Sequence, residues 1–183
     1  MEYQSTVRLR DGRTCILRNG TAADAKQVLD IFLLTHEQTD FLASYPDESK
    51  HTVEGEAKFL QGQTENERAI EIVAEVDGTI IGLAGFSCVR DGEKTRHRAE
   101  FGISIDRAYW GLGLGRALTE ACIACAKRAE YAQLELSVVA DNAHAIGLYK
   151  SVGFTEFGRN PKGFRSRLTG WQELVEMRLE LDA

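Results

Sequence analysis

Tyr109-Trp110-Gly111-Leu112-Gly113-Leu114-Gly115-Arg116 lies between an alternating apolar run that ends at Ile105 and a stretch whose apolar positions return at helical intervals. Three glycines therefore occupy a turn from strand to helix, where backbone can approach a ligand closely. The first N–H groups of a helix have no carbonyl one turn back, and the positive end of the helix dipole reinforces them, so such a bend suits a diphosphate. Arg116 can add a charge-assisted contact. A glycine-rich turn that merely permits close packing uses the same residues, so glycine spacing alone leaves both readings open. Two other phosphate loops are excluded. Counting from Gly111, the third glycine of G-x-G-x-x-G would fall on Arg116, and from Gly113 on Leu118. A P-loop needs Lys and then Ser or Thr, and Gly115 is followed by Arg116 and Ala117.

Working outward, Leu114, Ala117, Leu118, Ala121, Cys122 and Cys125 form one apolar helical stripe, with Lys127 and Arg128 at the negative end of the dipole. On the other side Ala99 to Ile105 reads as a strand with Phe101, Ile103 and Ile105 on one face. Ala69 to Val76 and Thr79 to Val89 flank Asp77-Gly78, a hairpin signal. Thr6 to Arg18, around Asp11-Gly12, reads as a strand or short hairpin. Thr21 to Asp24 has capping-box spacing and opens a helix to about Glu37. A second helix is expected over Val53 to Gln61, after a loop from Tyr45 to Thr52. Leu134 to Val139 reads as a strand, Ala143 to Ser151 as a short helix, and Val175, Met177, Leu179 and Leu181 as the buried face of a closing strand. The order implies a mixed α/β layer structure whose sheet is antiparallel at one end and locally parallel at the other.

With 183 residues, 43% of them hydrophobic, the chain has the size and apolar content of a single domain spanning 1–183. Twenty-eight acidic against 22 basic side chains give a net charge of -6, which argues against nucleic-acid binding. The longest uncharged stretch, Gly78 to Val89, is 12 residues and too short to span a membrane. Met1 to Ser5 lacks the basic and then apolar run of a secretory signal, so a cytoplasmic location is expected. Of the four cysteines, Cys122 and Cys125 form a C-x-x-C with no second pair to complete a metal site, and they lie on the apolar stripe, where cysteine packs as a small apolar residue. No metal is expected.

Two stretches together resemble the general-control-type N-acetyltransferase (GNAT) family. Trp110-x-x-Gly113-x-Gly115 is similar to its acetyl-CoA motif Gln/Arg-x-x-Gly-x-Gly/Ala, with Trp110 departing from the usual Gln or Arg. Asn142-x-x-Ala145-x-x-Leu148-Tyr149-x-x-x-Gly153-Phe154 is similar to its Asn-x-x-Ala-x-x-Leu-Tyr-x-x-x-Gly-Phe signature. Arg96 to Ile105 and Leu134 to Val138 also look like family strands. The resemblance implies a mixed, mostly antiparallel sheet splayed between two parallel strands, with about four helices, and acetyl-CoA as cosubstrate. Backbone from Gly111, Leu112, Gly113, Leu114 and Gly115, with Arg116, would hold its diphosphate. Ile103, Ser104 and Ile105 would border its pantetheine arm, backbone groups of Ile103 and Ile105 pairing with the amides and a bulge near Ser104 to Asp106 opening the gap. Asn142 either caps the short helix or adds a cofactor hydrogen bond.

An amine with a pKa of about 10 must lose a proton before attacking a thioester, and a departing thiolate, whose acid has a pKa of about 8.5, needs a donor. Glu100 is the candidate base, or else a solvated strand-edge carboxylate, with His97 as rival. Tyr149, at the family's acid position, is the candidate donor. Thr39, Asp40 and Phe41 are candidate acceptor-binding residues, offering a carboxylate and an aromatic wall, or an ordinary acidic loop. Lys162, Arg165 and Arg167 either meet an anionic group or are solvated. The resemblance thus implies direct acetyl transfer to a primary amine of a small molecule, amino acid or protein, with homodimerisation possible. A non-catalytic acyl-CoA sensor and an interaction protein with no small ligand are the alternatives.

Overall fold

The computed structural model describes residues 1–181, so the last two positions of the expected 1–183 domain lie outside the described residues. Its elements are β1 (Gln4–Arg8), β2 (Thr14–Asn19), α1 (Ala25–Gln38), α2 (Val53–Glu65), β3 (Ile70–Val76), β4 (Thr79–Cys88), β5 (Arg98–Ile105), α3 (Leu114–Arg128), β6 (Gln133–Val139), α4 (Ala143–Ser151), β7 (Thr155–Ser166) and β8 (Gly170–Glu180). Asp77 and Gly78 both take positive φ, 50° and 79°, giving β3 and β4 the tight turn that a two-residue hairpin requires. Thr21 and Asp24 form the capping box ahead of α1. The Asp24 carboxylate is also gripped by the Arg18 guanidinium, both contacts 2.8 Å, which holds its pKa down to about 2.

The eight strands form one sheet in the order β1-β2-β3-β4-β5-β6-β8-β7. Among the described residues only β5 and β6 run parallel, and they lie inside the sheet with antiparallel pairs on either side. The expectation of a parallel end is thereby corrected. β7 pairs with β8 and supplies the far edge, so the chain reverses once more after α4 than the sequence reading allowed.

Side chains alternate across this sheet and sort its two layers. Ile70, Ile72, Phe86, Ala99 and Phe101 pack with Leu114, Leu118, Cys122 and Cys125 of α3. Val73, Ile80 and Leu83 pack with Val28 and Ile31 of α1 and Leu60 of α2. A bulge in β4 opposite Ala74 and Glu75 turns Ile81 to the α3 layer while Ile80 stays in the other. The β4–β5 register, by contrast, is unbroken from Gly82↔Ile105 to Cys88↔Ala99. The bulge expected in β5 near Ser104 to Asp106 is therefore on the neighbouring strand.

Candidate active site

The parallel pairing of β5 and β6 covers only Arg98↔Gln133, Ala99↔Leu134 and Glu100↔Glu135. Beyond Glu100 the two strands part, β6 staying on β8 as far as Val139↔Leu174 while β5 stays on β4. Arg98 accepts from Val89 N and Asp106 donates to Ile81 O, so even-numbered residues of β5 spend their backbone on β4. The odd ones, Phe101, Ile103 and Ile105, present theirs to the gap. The gap is an open strand edge, able to pair with an extended amide-bearing ligand. Its far end is partly closed: Trp110 Nε1 donates to the Ile105 carbonyl at 2.8 Å, so of the expected Ile105 pairing only the N–H is free. Ser104 spends its backbone on β4 and borders the opposite cavity instead.

At the wide end of the gap Gly111 and Gly113 take φ of 74° and 90°, conformations that residues with a Cβ avoid, and Gly113 N-caps α3. Among the described residues the N–H groups of Gly111, Leu112 and Gly113 donate to no backbone acceptor, and those of Leu114, Gly115 and Arg116 precede the first α-helical bond, Ala117 to Gly113 at 3.2 Å. They border a cavity of about 400 Å³ lined by Gly111, Gly113, Gly115, Arg116, Arg10 and residues of α4. Gly115 does serve close packing, since a Cβ there would stand 3.2 Å from Leu148, whereas Gly113 has open space on that side. Arg10, from the β1–β2 turn, is held over the bend by Nη1 on the Gly111 carbonyl (3.1 Å) and by its own N–H on the Leu112 carbonyl (3.1 Å). Arg116 bonds Ser151 at 2.7 Å. Asn142 caps α4 by accepting from Ala145 N at 3.2 Å.

The narrow end of the gap carries the two candidate catalytic groups on opposite faces of β5. Tyr149 of α4 is 7% exposed and stacks edge-on against Phe101, with centroids 6.2 Å apart. Burial pushes its hydroxyl up to about 12. Glu100 faces the other layer and lines a second cavity of about 440 Å³ beneath α1 and α2. His97 does not line it; its carbonyl instead accepts Ala132 and Gln133 N–H groups at the closed end of the β5–β6 pair.

A model of the Acetyltransferase (GNAT) family matches residues 31–154. The chain belongs to that family. It is 34% identical over 120 residues, 66% of this chain and 78% of the relative, to the [ribosomal protein bS18]-alanine N-acetyltransferase of Escherichia coli. It is 31% identical over 111 residues, 61% of this chain, to the L-methionine sulfoximine/L-methionine sulfone acetyltransferase of Salmonella typhimurium, and the alignment spans only 64% of that relative's length. The crystal structure of a GNAT-family acetyltransferase from Streptococcus pneumoniae superposes with a TM-score of 0.86 at 25% identity, covering 91% of this chain and 99% of that one.

Within this GNAT domain the structure brings Gly111 to Arg116, Ile103, Ile105 and Tyr149 around one gap, with Glu100 at its apex. It does not bring Thr39, Asp40 and Phe41 to the cavity wall. The Asp40 carboxylate is occupied by Ser166 Oγ (2.6 Å), Tyr45 Oη (3.2 Å), Thr169 Oγ1 (3.2 Å) and Gln172 Nε2 (3.1 Å), fastening the α1–α2 loop to the β7–β8 hairpin, while Leu42 and Ala43 of the same loop line the cavity. Arg167 bonds Asp47 at 2.8 Å, and Lys162 and Arg165 lie 5.4 Å from the Trp171 ring, all three exposed or half-exposed on the hairpin. Cys122 and Cys125 are buried, which raises their thiol pKa and suits packing. Among the described residues no group of three or more His, Cys, Asp and Glu is placed to hold a metal, and no helix is long and apolar enough to cross a membrane.

Sequence reasoning missed Arg10 and Glu71. Arg10 lies about a hundred positions from the bend it joins, with no signal beyond a charged turn. Glu71 had one: a carboxylate among the β-branched residues of Ile70 to Val76, on a strand buried on both faces.

Proposed function

We propose that the protein transfers the acetyl group of acetyl-CoA directly to a primary amine. The observation that carries this reading is the gap between β5 and β6: unpartnered N–H groups and two arginines at its wide end, an open strand edge along it, and Glu100 and Tyr149 at its apex. The bend accepts the diphosphate, the β5 edge pairs with the pantetheine amides, and the thioester is thereby aimed at the apex. The amine approaches through the cavity that Glu100 lines, and Glu100 takes its proton, directly or through a water. The relatives named above act on an amino-acid analogue and on a protein alanine, both primary amines.

Tyr149 assists the departing sulfur from the other face. A phenol that titrates near 12 stays protonated at neutral pH. Handing its proton fully to a thiolate whose acid has a pKa of about 8.5 is uphill by roughly 5 kcal/mol. Its contribution is therefore a hydrogen bond to the developing thiolate rather than a completed transfer. Direct transfer is favoured over an acetyl-cysteine route because the buried thiols of Cys122 and Cys125 are kept protonated. Four unpaired cysteines are in keeping with work in a reducing cytoplasm.

The test is thiol release on mixing the protein and acetyl-CoA with a panel of primary amines, for wild type and Tyr149→Phe. Acceptor-dependent release, reduced in the variant, supports the enzyme. Tight coenzyme A binding with no release by any amine would favour the sensor instead.

A further inference from the structure

The cavity beneath α1 and α2 has a chemical character beyond its being open to Glu100. Glu71 of β3 stands opposite Gly85 of β4, which stands opposite Gly102 of β5. All three point to the same face, since facing residues of paired strands share a side. A Cβ at Gly85 would collide with the Glu71 carboxylate, and one at Gly102 would meet nothing within 4 Å. The Glu71 carboxylate thus lies over Gly85, and Gly102 leaves a lane of bare sheet between it and the edge of the gap, with Glu100 two residues along β5 on the same side.

The polar atoms along this lane are mostly acceptors. Glu71 accepts no side-chain hydrogen bond among the described residues, and Gln63 Oε1 is buried with no donor. His36 Nδ1 lies 2.7 Å from the Phe32 carbonyl, which can only accept, so Nδ1 carries the hydrogen and Nε2 is left as an acceptor. Burial lowers the His36 pKa and keeps the ring neutral. Phe32, Phe59 and Leu83 supply apolar wall, and among the described residues the lining contains no Lys or Arg.

We propose that this cavity selects a primary ammonium on an apolar body, with no carboxylate beside it, and that Glu71 is the residue that reads the positive charge. The ammonium brings the donors that Gln63 Oε1 and His36 Nε2 lack and favours the ionised form of Glu71, whereas a free α-amino acid brings a carboxylate for which the cavity offers no counter-charge and which Glu100 repels. The acceptors this admits are alkylamines, arylalkylamines and amines whose neighbouring carboxyl is already an amide, as at a peptide N-terminus. Burial raises the pKa of an unaccompanied Glu71, and a cation in the lane relieves that cost. The inference rests on the acetyl-transfer reading for the identity of the cavity as the acceptor site.

The experiment is calorimetric binding to the protein saturated with coenzyme A, using 2-phenylethylamine, L-phenylalaninamide and L-phenylalanine, which share one ring and differ at the α-carbon. The first two are expected to bind at least about tenfold tighter than the third, and Glu71→Gln to weaken them about tenfold with coenzyme A affinity unchanged, the range for losing a charge-assisted hydrogen bond. Phenylalanine binding as well as its amide, binding by none of the three, or amine affinity unchanged in Glu71→Gln would overturn the proposal. The expected pattern without thiol release from acetyl-CoA would uphold the cavity's selectivity and remove the acetyl-transfer reading alone.

Discussion

The Tyr149 ring meets the Phe101 ring edge-on, 6.2 Å between centroids, and Phe101 is the first residue of β5 past its last pairing with β6. The phenol is therefore fixed at the point where the sheet opens. Glu100, the residue before Phe101, projects to the opposite face. A ligand entering the gap has an acid-capable group on one side and a carboxylate on the other.

Tyr149→Phe keeps the ring and its packing while deleting the hydroxyl. The expected result is a kcat lower by roughly 10- to 100-fold, with KM for acetyl-CoA and the melting temperature nearly unchanged. Steady-state thiol release and thermal unfolding on the same preparation check it.

Glu100→Gln removes the proposed base without changing its shape, and kcat/KM for the amine is expected to fall about 100-fold. His97→Ala, at the closed end of the β5–β6 pair, should change it less than about threefold. The reverse order of effects would move the base to His97.

Arg10→Ala withdraws a cation from the bend without touching the apex. KM for acetyl-CoA should rise about 5- to 20-fold while kcat is kept, the pattern of lost binding shared by ground and transition states. Raising salt should weaken cofactor binding less in the variant than in wild type.

Burial, with some repulsion from Glu56, pushes the Glu71 carboxyl from an ordinary 4.5 up to about 8. Its protonated form suits the fold, so its stabilising effect is complete below about pH 4.5, is lost as pH rises towards 8, and is absent above. Urea midpoints of the ligand-free protein should therefore fall between pH 5 and pH 8.5, and Glu71→Gln should flatten that fall. Asp24 behaves oppositely: its Arg18 pair stabilises the fold above pH 4 and is lost as pH drops through about 2. That loss lies outside the window tested for Glu71.

Much of this architecture can be read from local patterns because local physics dictates it. Asp77-Gly78 supplies a positive-φ backbone that a tight two-residue hairpin favours, the Leu114 stripe has one helical face, and α4 begins at Ala143, directly after its Asn142 cap. β7 escaped because Thr155 to Ser166 is exposed along nearly all its length and shows no alternation, its strand conformation being imposed by pairing with β8. The same division holds at the site. The bend and Tyr149 lie in contiguous motifs, whereas Arg10 and Glu71 reach the site through long-range pairing of the sheet. Asp40 misled for the converse reason: an acidic loop residue looks alike whether it faces a cavity or ties two loops together.

The most direct test of the account is a crystal structure with coenzyme A. The diphosphate is predicted within hydrogen-bonding distance, about 3 Å, of N–H groups between Gly111 and Arg116, with the pantetheine along β5 between Phe101 and Ile105 and the thiol beside Tyr149. Coenzyme A bound elsewhere, or the bend left empty at saturating concentration, would contradict it.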